Sequence, residues 1–212
     1  MDPANWRTYL VTQESLSAGR TTPEIVEAAI EGGIDAVQLR EKDTSARERY
    51  ELGQTLRELT AGADVPLLVN DRVDIAQAID ADGVHLGDSD LPIEAARDIL
   101  GPDAIIGRSA STVAAAKEAQ EAGADYLGVG AVYATGSKDD IDDEEYEIGT
   151  DRIRKIANAV SIPIVGIGGI TADNAGEVAA AGADGVAVIS AITAADDPAA
   201  ATTALGEAVA DV

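Results

Sequence analysis

The sequence contains no cysteine, which excludes disulfides, thiolate chemistry and cysteine-ligated metal. Phenylalanine is also absent, and aromatics amount to one tryptophan and five tyrosines, so alanine, valine, isoleucine and glycine must fill the interior. No apolar run is long enough to span a bilayer. The opening residues MDPANWRTYL hold no basic segment followed by an apolar stretch, so no signal peptide is expected and the chain reads as cytoplasmic and soluble. Lysine is scarce, with four in 212 residues. Acid is abundant. A formal net charge of −24 makes nucleic acid and anionic membranes unsuitable partners, because both would be repelled. At 212 residues the chain can bury a sizeable core and remain one domain, residues 1–212.

Four segments share one pattern: AIEGGIDAVQLR, AIDADGVHLG, AQEAGADYLGVG and VAAAGADGVAVIS. Each runs from helix-forming alanines and carboxylates into a short strand. Gly33, Gly123 and Gly182 suit the left-handed position that ends a helix. Between them lie TYLVT, PLLVND, AIIGRSA and PIVGIGGI, further strand candidates, while 45–61 and 112–122 have helical period and length. Eight strands alternating with helices predict an α/β fold, a single (β/α)8 TIM barrel; a doubly wound open sheet is the alternative. In a barrel, chemistry sits at the carboxyl ends of the strands. QLREK, ND, HLGDSD, RSAS, ATGSKDD, GIGGIT and ISA all fall there.

Strand period two places Gln38, Arg40 and Lys42 on one face. Arg40 suits bidentate phosphate contact and Lys42 acts as a point charge, while Gln38 and Asn70 add neutral donors and acceptors. Asp71 and Asp90 end adjacent strands, and one or two carboxylates completed by water and phosphate oxygens is how Mg2+ is commonly held. These residues suggest a Mg2+-diphosphate clamp. The alternative is a buried ion-pair network among the same side chains. Beyond strand 6, TGSK supplies hydroxyls and a lysine. GIGG exposes backbone N–H groups, and the loops after strands 7 and 8 form the usual phosphate pocket of such barrels. His85 reads as a satisfied strand residue rather than a catalytic base, and Trp6 and the tyrosines as packing or rim residues. The acidic stretch Asp139–Glu147 lacks the ligand spacing of a calcium loop and reads as a solvated lid.

Taken in order, VQLREK, VNDR, GVHLGDSD, GRSAS, GVGAVYATGSKDD, PIVGIGGIT and GADGVAVISAI resemble thiamine-phosphate synthases over nearly the whole chain. Such enzymes are Mg2+-dependent (β/α)8 barrels that join a hydroxymethylpyrimidine diphosphate to a thiazole phosphate, releasing pyrophosphate. The resemblance implies that the segment Gln38, Leu39, Arg40, Glu41 and Lys42, with Asn70, binds the pyrimidine diphosphate. It implies Asp71 and Asp90 as Mg2+ ligands, and Ser109 and Lys138 as further contacts to the pyrimidine substrate or its diphosphate. Thr135, Gly136, Ser137, Gly169, Ile189 and Ser190 would hold the thiazole phosphate. Arg40, Lys42 and Lys138 would stabilise the departing pyrophosphate, after ionisation to a pyrimidine cation. Two departures stand out: Ala134 where proline is common, and Asp88 where glutamine is common, a third acid that sits near the metal or faces solvent.

Competing expectations are a thiazole tautomerase of the same fold, a lyase forming a Schiff base through Lys42 or Lys138, and a non-catalytic phospho-ligand sensor. Partners are small phosphorylated substrates; the oligomeric state, homo-oligomer included, is left open. The charge of −24 suits a halophilic, high-salt cytoplasm, where repulsion is screened within a few ångströms. The bland alternative is an acidic enzyme with no salt requirement. Stability is expected to rise steeply between dilute buffer and molar KCl in a thermal melt; full stability in dilute buffer would end the halophilic reading.

Overall fold

The computed structural model of the chain describes residues 2–42, 44–135 and 148–210. From the amino end run β1 (Thr8–Val11), α1 (Thr22–Glu31), β2 (Ala36–Leu39), α2 (Ala46–Gly62), β3 (Leu67–Asn70) and α3 (Val73–Ala78). Next come β4 (Gly83–Leu86), α4 (Ile93–Leu100), β5 (Ile105–Ser109), α5 (Val113–Glu121), β6 (Tyr126–Gly130) and α6 (Gly149–Ala157). β7 (Ile164–Ile167), α7 (Ala172–Ala180), β8 (Gly185–Val188), α8 (Ser190–Thr193) and α9 (Pro198–Ala210) complete the order. Each strand pairs in parallel with the next, and β8 pairs with β1, so the sheet closes into the expected (β/α)8 barrel. That last pairing rules out the open sheet.

Local chemistry starts and stops the helices where the sequence signals it. Ser45 caps α2 and Thr21 caps α1, each in a reciprocal box with the glutamate three residues on, Glu48 and Glu24. Thr112 caps α5 through the N–H of Ala115. Gly33, Gly123 and Gly182 take the left-handed conformation, with φ of 85°, 89° and 104°. The repeat without a glycine there uses Asp80 at φ 53°, and aspartate is among the few other residues that tolerate this region.

The aspartate that precedes the strand in each repeat has a structural duty. Asp35 accepts hydrogen bonds from the N–H groups of Arg7 and Thr8 at 3.0 and 2.9 Å and from the Thr8 hydroxyl at 3.1 Å. Asp82, Asp125 and Asp184 likewise accept from the N–H groups of Leu67, Ile106 and Ile164 at 2.8, 2.7 and 2.8 Å. Each even-numbered strand is thereby tied, at its start, to the odd-numbered strand before it. The donors are backbone groups that the parallel ladder cannot satisfy at its end.

Side chains alternate between two apolar layers. Leu10, Val37, Leu39, Val69 and Val84 pack outward against the helices. Inside the barrel, Trp6, Tyr9 and Tyr126 pack edge-to-face with centroids 5.3 to 6.0 Å apart, above which polar residues take over. Among the described residues no helix is long and apolar enough to cross a membrane. Asp35→Ala would leave a buried strand N–H and the Thr8 hydroxyl without acceptors. The expected cost is about 1–3 kcal/mol, and each kcal/mol lowers the melting temperature of a chain this size by roughly 2–4 °C. Activity at 25 °C should be unaffected.

Candidate active site at the carboxyl end of the barrel

Strand alternation sorts the segment 38–42. Gln38 and Arg40 point into the barrel, only 4% and 7% exposed, and line a small cavity of about 60 Å3 with Asn70, His85 and Ser109. Lys42 lies exposed on the rim, with its charge acting on Asp71. Leu39 turns the other way, fully buried against the helix layer. Glu41 also turns away: its carboxylate accepts from the Glu14 N–H and the Thr22 hydroxyl, both at 2.9 Å. That contact moors the loop after β1, which in turn holds Arg40 through Gln13 Oε1 at 2.8 Å. The side chains of Leu39 and Glu41 therefore do not share the cavity of their neighbours.

Asp71 follows β3 at φ 62°, a conformation that costs a non-glycine residue energy and often marks a functional position. Its N–H donates to the carbonyl of His85 on β4 at 2.9 Å. Asp90, on the loop after β4, is held by the Gly87 N–H at 2.6 Å. The two carboxyl groups meet. The Asp71 carboxyl is pushed up to about 6, first by burial, then by its hydrogen bond to Asp90 and by the Asp90 charge. Arg40 and Lys42 pull it down and do not win. The net shift of the Asp71 carboxyl is upward even with both cations acting on it.

Such a pair fits Mg2+. Among the described residues no group of three His, Cys, Asp or Glu is placed to hold a metal. Two carboxylates completed by water and ligand oxygens are the arrangement Mg2+ prefers. Asp88 is not part of it: its side chain is 90% exposed and pairs with Arg108 at 3.3 Å. Of the two placements the sequence left open, it takes the solvent side.

A second cavity, about 390 Å3, opens between the segments after β6, β7 and β8 and is lined by Thr135, Gly169, Ile189 and Ser190 among others. Gly168 and Gly169 stand at φ 102° and 63°. A Cβ on Gly168 would come within 2.6 Å of the Ala131 Cβ, and one on Gly169 within 2.6 Å of the Ala134 carbonyl oxygen. Only glycine lets this turn pack so tightly. Ile167, Ala187 and Ile189 line both cavities, so ligands in the two would lie side by side. Gly136, Ser137, Lys138 and the acidic stretch 139–147 lie outside the described residues.

Sequence reasoning missed Tyr9 and Tyr126. They line the small cavity, and their hydroxyls are 3.0 Å apart. Tyr9 accepts from Gln38 Nε2 at 2.9 Å, and Tyr126 lies 2.9 Å from His85 Nδ1. His85 is satisfied, as expected, yet it also faces the site and reaches Ser109 Oγ through Nε2 at 3.0 Å. The available signal was glycine. Gly107 stands beside Tyr126 in register and yields its side-chain space to that ring, and a Cβ on Gly128 would come within 2.8 Å of His85 Cε1.

The raised Asp71 group gives a sign to test. Its folded value lies above the ordinary carboxylate range, so the cost of ionising it appears as pH rises from about 4 through about 6. Asp71→Asn, which also suits the left-handed backbone, should raise the melting temperature of the metal-free protein at pH 8 by a few degrees. The gain should shrink as pH falls below about 6 and vanish only below about pH 4, where the carboxyl is neutral in the folded and the unfolded chain alike. Melting curves of both proteins across that range check it.

The model of the family described as thiamine monophosphate synthase matches residues 8–192. A thiamine-phosphate synthase of Haloarcula marismortui is 73% identical over 205 residues, covering 97% of each chain. One from Moorella thermoacetica is 53% identical over 96% of each. A solved structure of thiamine phosphate pyrophosphorylase from Pyrococcus furiosus superposes with a TM-score of 0.88 at 44% identity, covering 99% of this chain and 98% of that one. With a barrel of the same plan and motifs along its whole length, the chain belongs to the thiamine monophosphate synthase family and is a transferase of thiamine biosynthesis.

Proposed function

We propose that this protein joins hydroxymethylpyrimidine diphosphate to thiazole phosphate, releasing pyrophosphate and forming thiamine phosphate. The observation that carries the reading is the acid pair Asp71–Asp90 under the charges of Arg40 and Lys42, with Arg40 also lining the small cavity that shares Ile167, Ala187 and Ile189 with the larger, glycine-walled one. A tautomerase has no diphosphate to neutralise and no use for such a rim. The names borne by the relatives point the same way. We place the reaction in the cytoplasm, with small phosphorylated molecules as its partners.

Asp71 and Asp90 would hold Mg2+, which supplies charge neutralisation to the diphosphate oxygens. Arg40 and Lys42, joined by Lys138, stabilise the charge that grows on pyrophosphate as the carbon–oxygen bond breaks and the leaving group takes its electron pair. The remaining pyrimidine cation is captured by the thiazole ring nitrogen, whose lone pair forms the new bond. No proton is transferred, so no general base is required. Asn70 and Ser109 hold the first substrate against the barrel floor, whose tight aromatic packing leaves little room for water that would trap the cation. Thr135, Gly169, Ile189 and Ser190, with Gly136 and Ser137, orient the thiazole phosphate so that its nitrogen faces the reacting carbon.

The decisive assay supplies both substrates and Mg2+ in molar KCl. Thiamine phosphate and pyrophosphate are expected in equal amounts; isomerised thiazole without pyrophosphate, a borohydride-trapped lysine adduct, or binding without turnover would each replace the proposal. Within it, Lys138→Ala should lower turnover by about 10²–10³ while leaving the KM for thiazole phosphate near the wild-type value. Unchanged turnover would remove Lys138 from the mechanism.

A further inference from the structure

Four side chains from four strands form one unbroken hydrogen-bonded line beneath the site. It runs from Gln38 Nε2 to the Tyr9 hydroxyl (2.9 Å) and on to the Tyr126 hydroxyl (3.0 Å), then to His85 Nδ1 (2.9 Å). From the other ring nitrogen it reaches Ser109 Oγ (3.0 Å), a fifth strand. Each tyrosine hydroxyl has one proton and a neutral imidazole has one N–H, so with His85 neutral the line can be ordered in only two ways. In one, Gln38 donates to Tyr9, Tyr9 to Tyr126, Tyr126 to His85 Nδ1, and His85 Nε2–H to Ser109, whose own proton is left for a ligand. In the other, every bond reverses: Ser109 donates to His85, and Tyr9 donates to a Gln38 amide turned to present its oxygen. Burial pushes both phenols well above their ordinary value, so neither loses its proton near neutral pH. Mixed orders would leave a hydroxyl hydrogen of the fully buried Tyr126 or the 2%-exposed Tyr9 without an acceptor.

The two ends are therefore coupled. The amide orientation present here is the first order, with Nε2 toward Tyr9. Gln38 then offers the cavity a carbonyl acceptor beside its second N–H donor, while Ser109 offers a donor. Glutamine so presented reads an amino group next to a ring nitrogen, as it does on adenine; turned over, it reads a ring carbonyl next to N–H. An anionic group near Ser109 accepts a proton and favours the first order.

We propose that Tyr9, Tyr126 and His85 are positioning residues whose hydrogen-bonded line locks the Gln38 amide to the Ser109 hydroxyl, making the site specific for an aminopyrimidine over its oxo counterpart. The barrel gives up side chains for it, since Gly107 and Gly128 clear the space that the Tyr126 and His85 rings occupy. This rests on the pyrimidine-diphosphate reading above and adds to it the origin of its ring selectivity.

The test compares kcat/KM for the 4-amino pyrimidine diphosphate with that for the 4-oxo analogue. The proteins are wild type, Tyr9→Phe, Tyr126→Phe and Trp6→Phe. Trp6 packs on both tyrosine rings but is not a member of the line, so it reports packing alone. Sites that hydrogen-bond a substrate group reject analogues lacking it by about 10⁴–10⁵. The wild-type ratio is expected to exceed about 10³, each tyrosine variant should lower it at least tenfold, and Trp6→Phe should leave it within about threefold. A ratio unchanged in the folded tyrosine variants, or lowered as much by Trp6→Phe, would overturn the inference. If one tyrosine variant fails to fold, the other carries the comparison. If the wild type forms no thiamine phosphate, the functional reading falls. The inference is then judged by equilibrium binding of the same two diphosphates, where equal affinity for both would overturn it.

Discussion

The site depends on two carboxyl groups that repel each other. Asp71 and Asp90 are brought into contact by the carboxyl ends of neighbouring strands, one through a left-handed backbone residue and one through a tight loop anchored at Gly87. Arg40 and Lys42 relieve the pair only in part, so the Asp71 carboxyl stays well above its ordinary range. Two carboxyl groups so placed are a donor set that Mg2+ accepts when water and phosphate oxygens complete its shell, and this is the basis of the proposed metal site. Arg40 in turn is held by Gln13, on the loop that Glu41 moors.

Acid serves several purposes in this chain, and its surplus conceals them. Glu24 and Glu48 close helix starts; Asp35, Asp82, Asp125 and Asp184 tie strand pairs at the opposite end of the barrel from the site. These side chains keep their function whatever the salt. The remaining acids give a field that repels an anionic substrate at a distance. In molar salt such a field decays over about 3 Å.

The barrel was legible because its repeats carry it: helix, left-handed stop, acid, strand. Where Asp80 replaces glycine at the stop, the pattern still holds, although aspartate there is common enough in loops to pass unnoticed. That Arg40, Lys42, Asp71 and Asp90 come together was legible for a related reason, since all four stand at the carboxyl ends of neighbouring strands. Direction within 38–42 was legible too: strand period two sets Gln38 and Arg40 apart from Leu39 and Glu41, which entered only with the resemblance, and the pleat turns those two to the opposite side. Tyr9 and Tyr126 were hidden because tyrosine in a strand reads as packing. Only closure of the barrel brings residues 9, 38, 85, 109 and 126 onto one line. The pair Gly168–Gly169 was visible as a motif, but its necessity comes from contacts with Ala131 and Ala134 on the preceding loop.

The central claim is that the rim grips a diphosphate through a shared cation rather than by fixed positive charge alone. Calorimetric titration of inorganic pyrophosphate into the protein in molar KCl, with Mg2+ and again with EDTA, tests it directly. Affinity at least about tenfold tighter with Mg2+ is the expected result, a difference of about 1.4 kcal/mol. Equal affinity in EDTA would show that Asp71 and Asp90 serve no metal and would contradict the account.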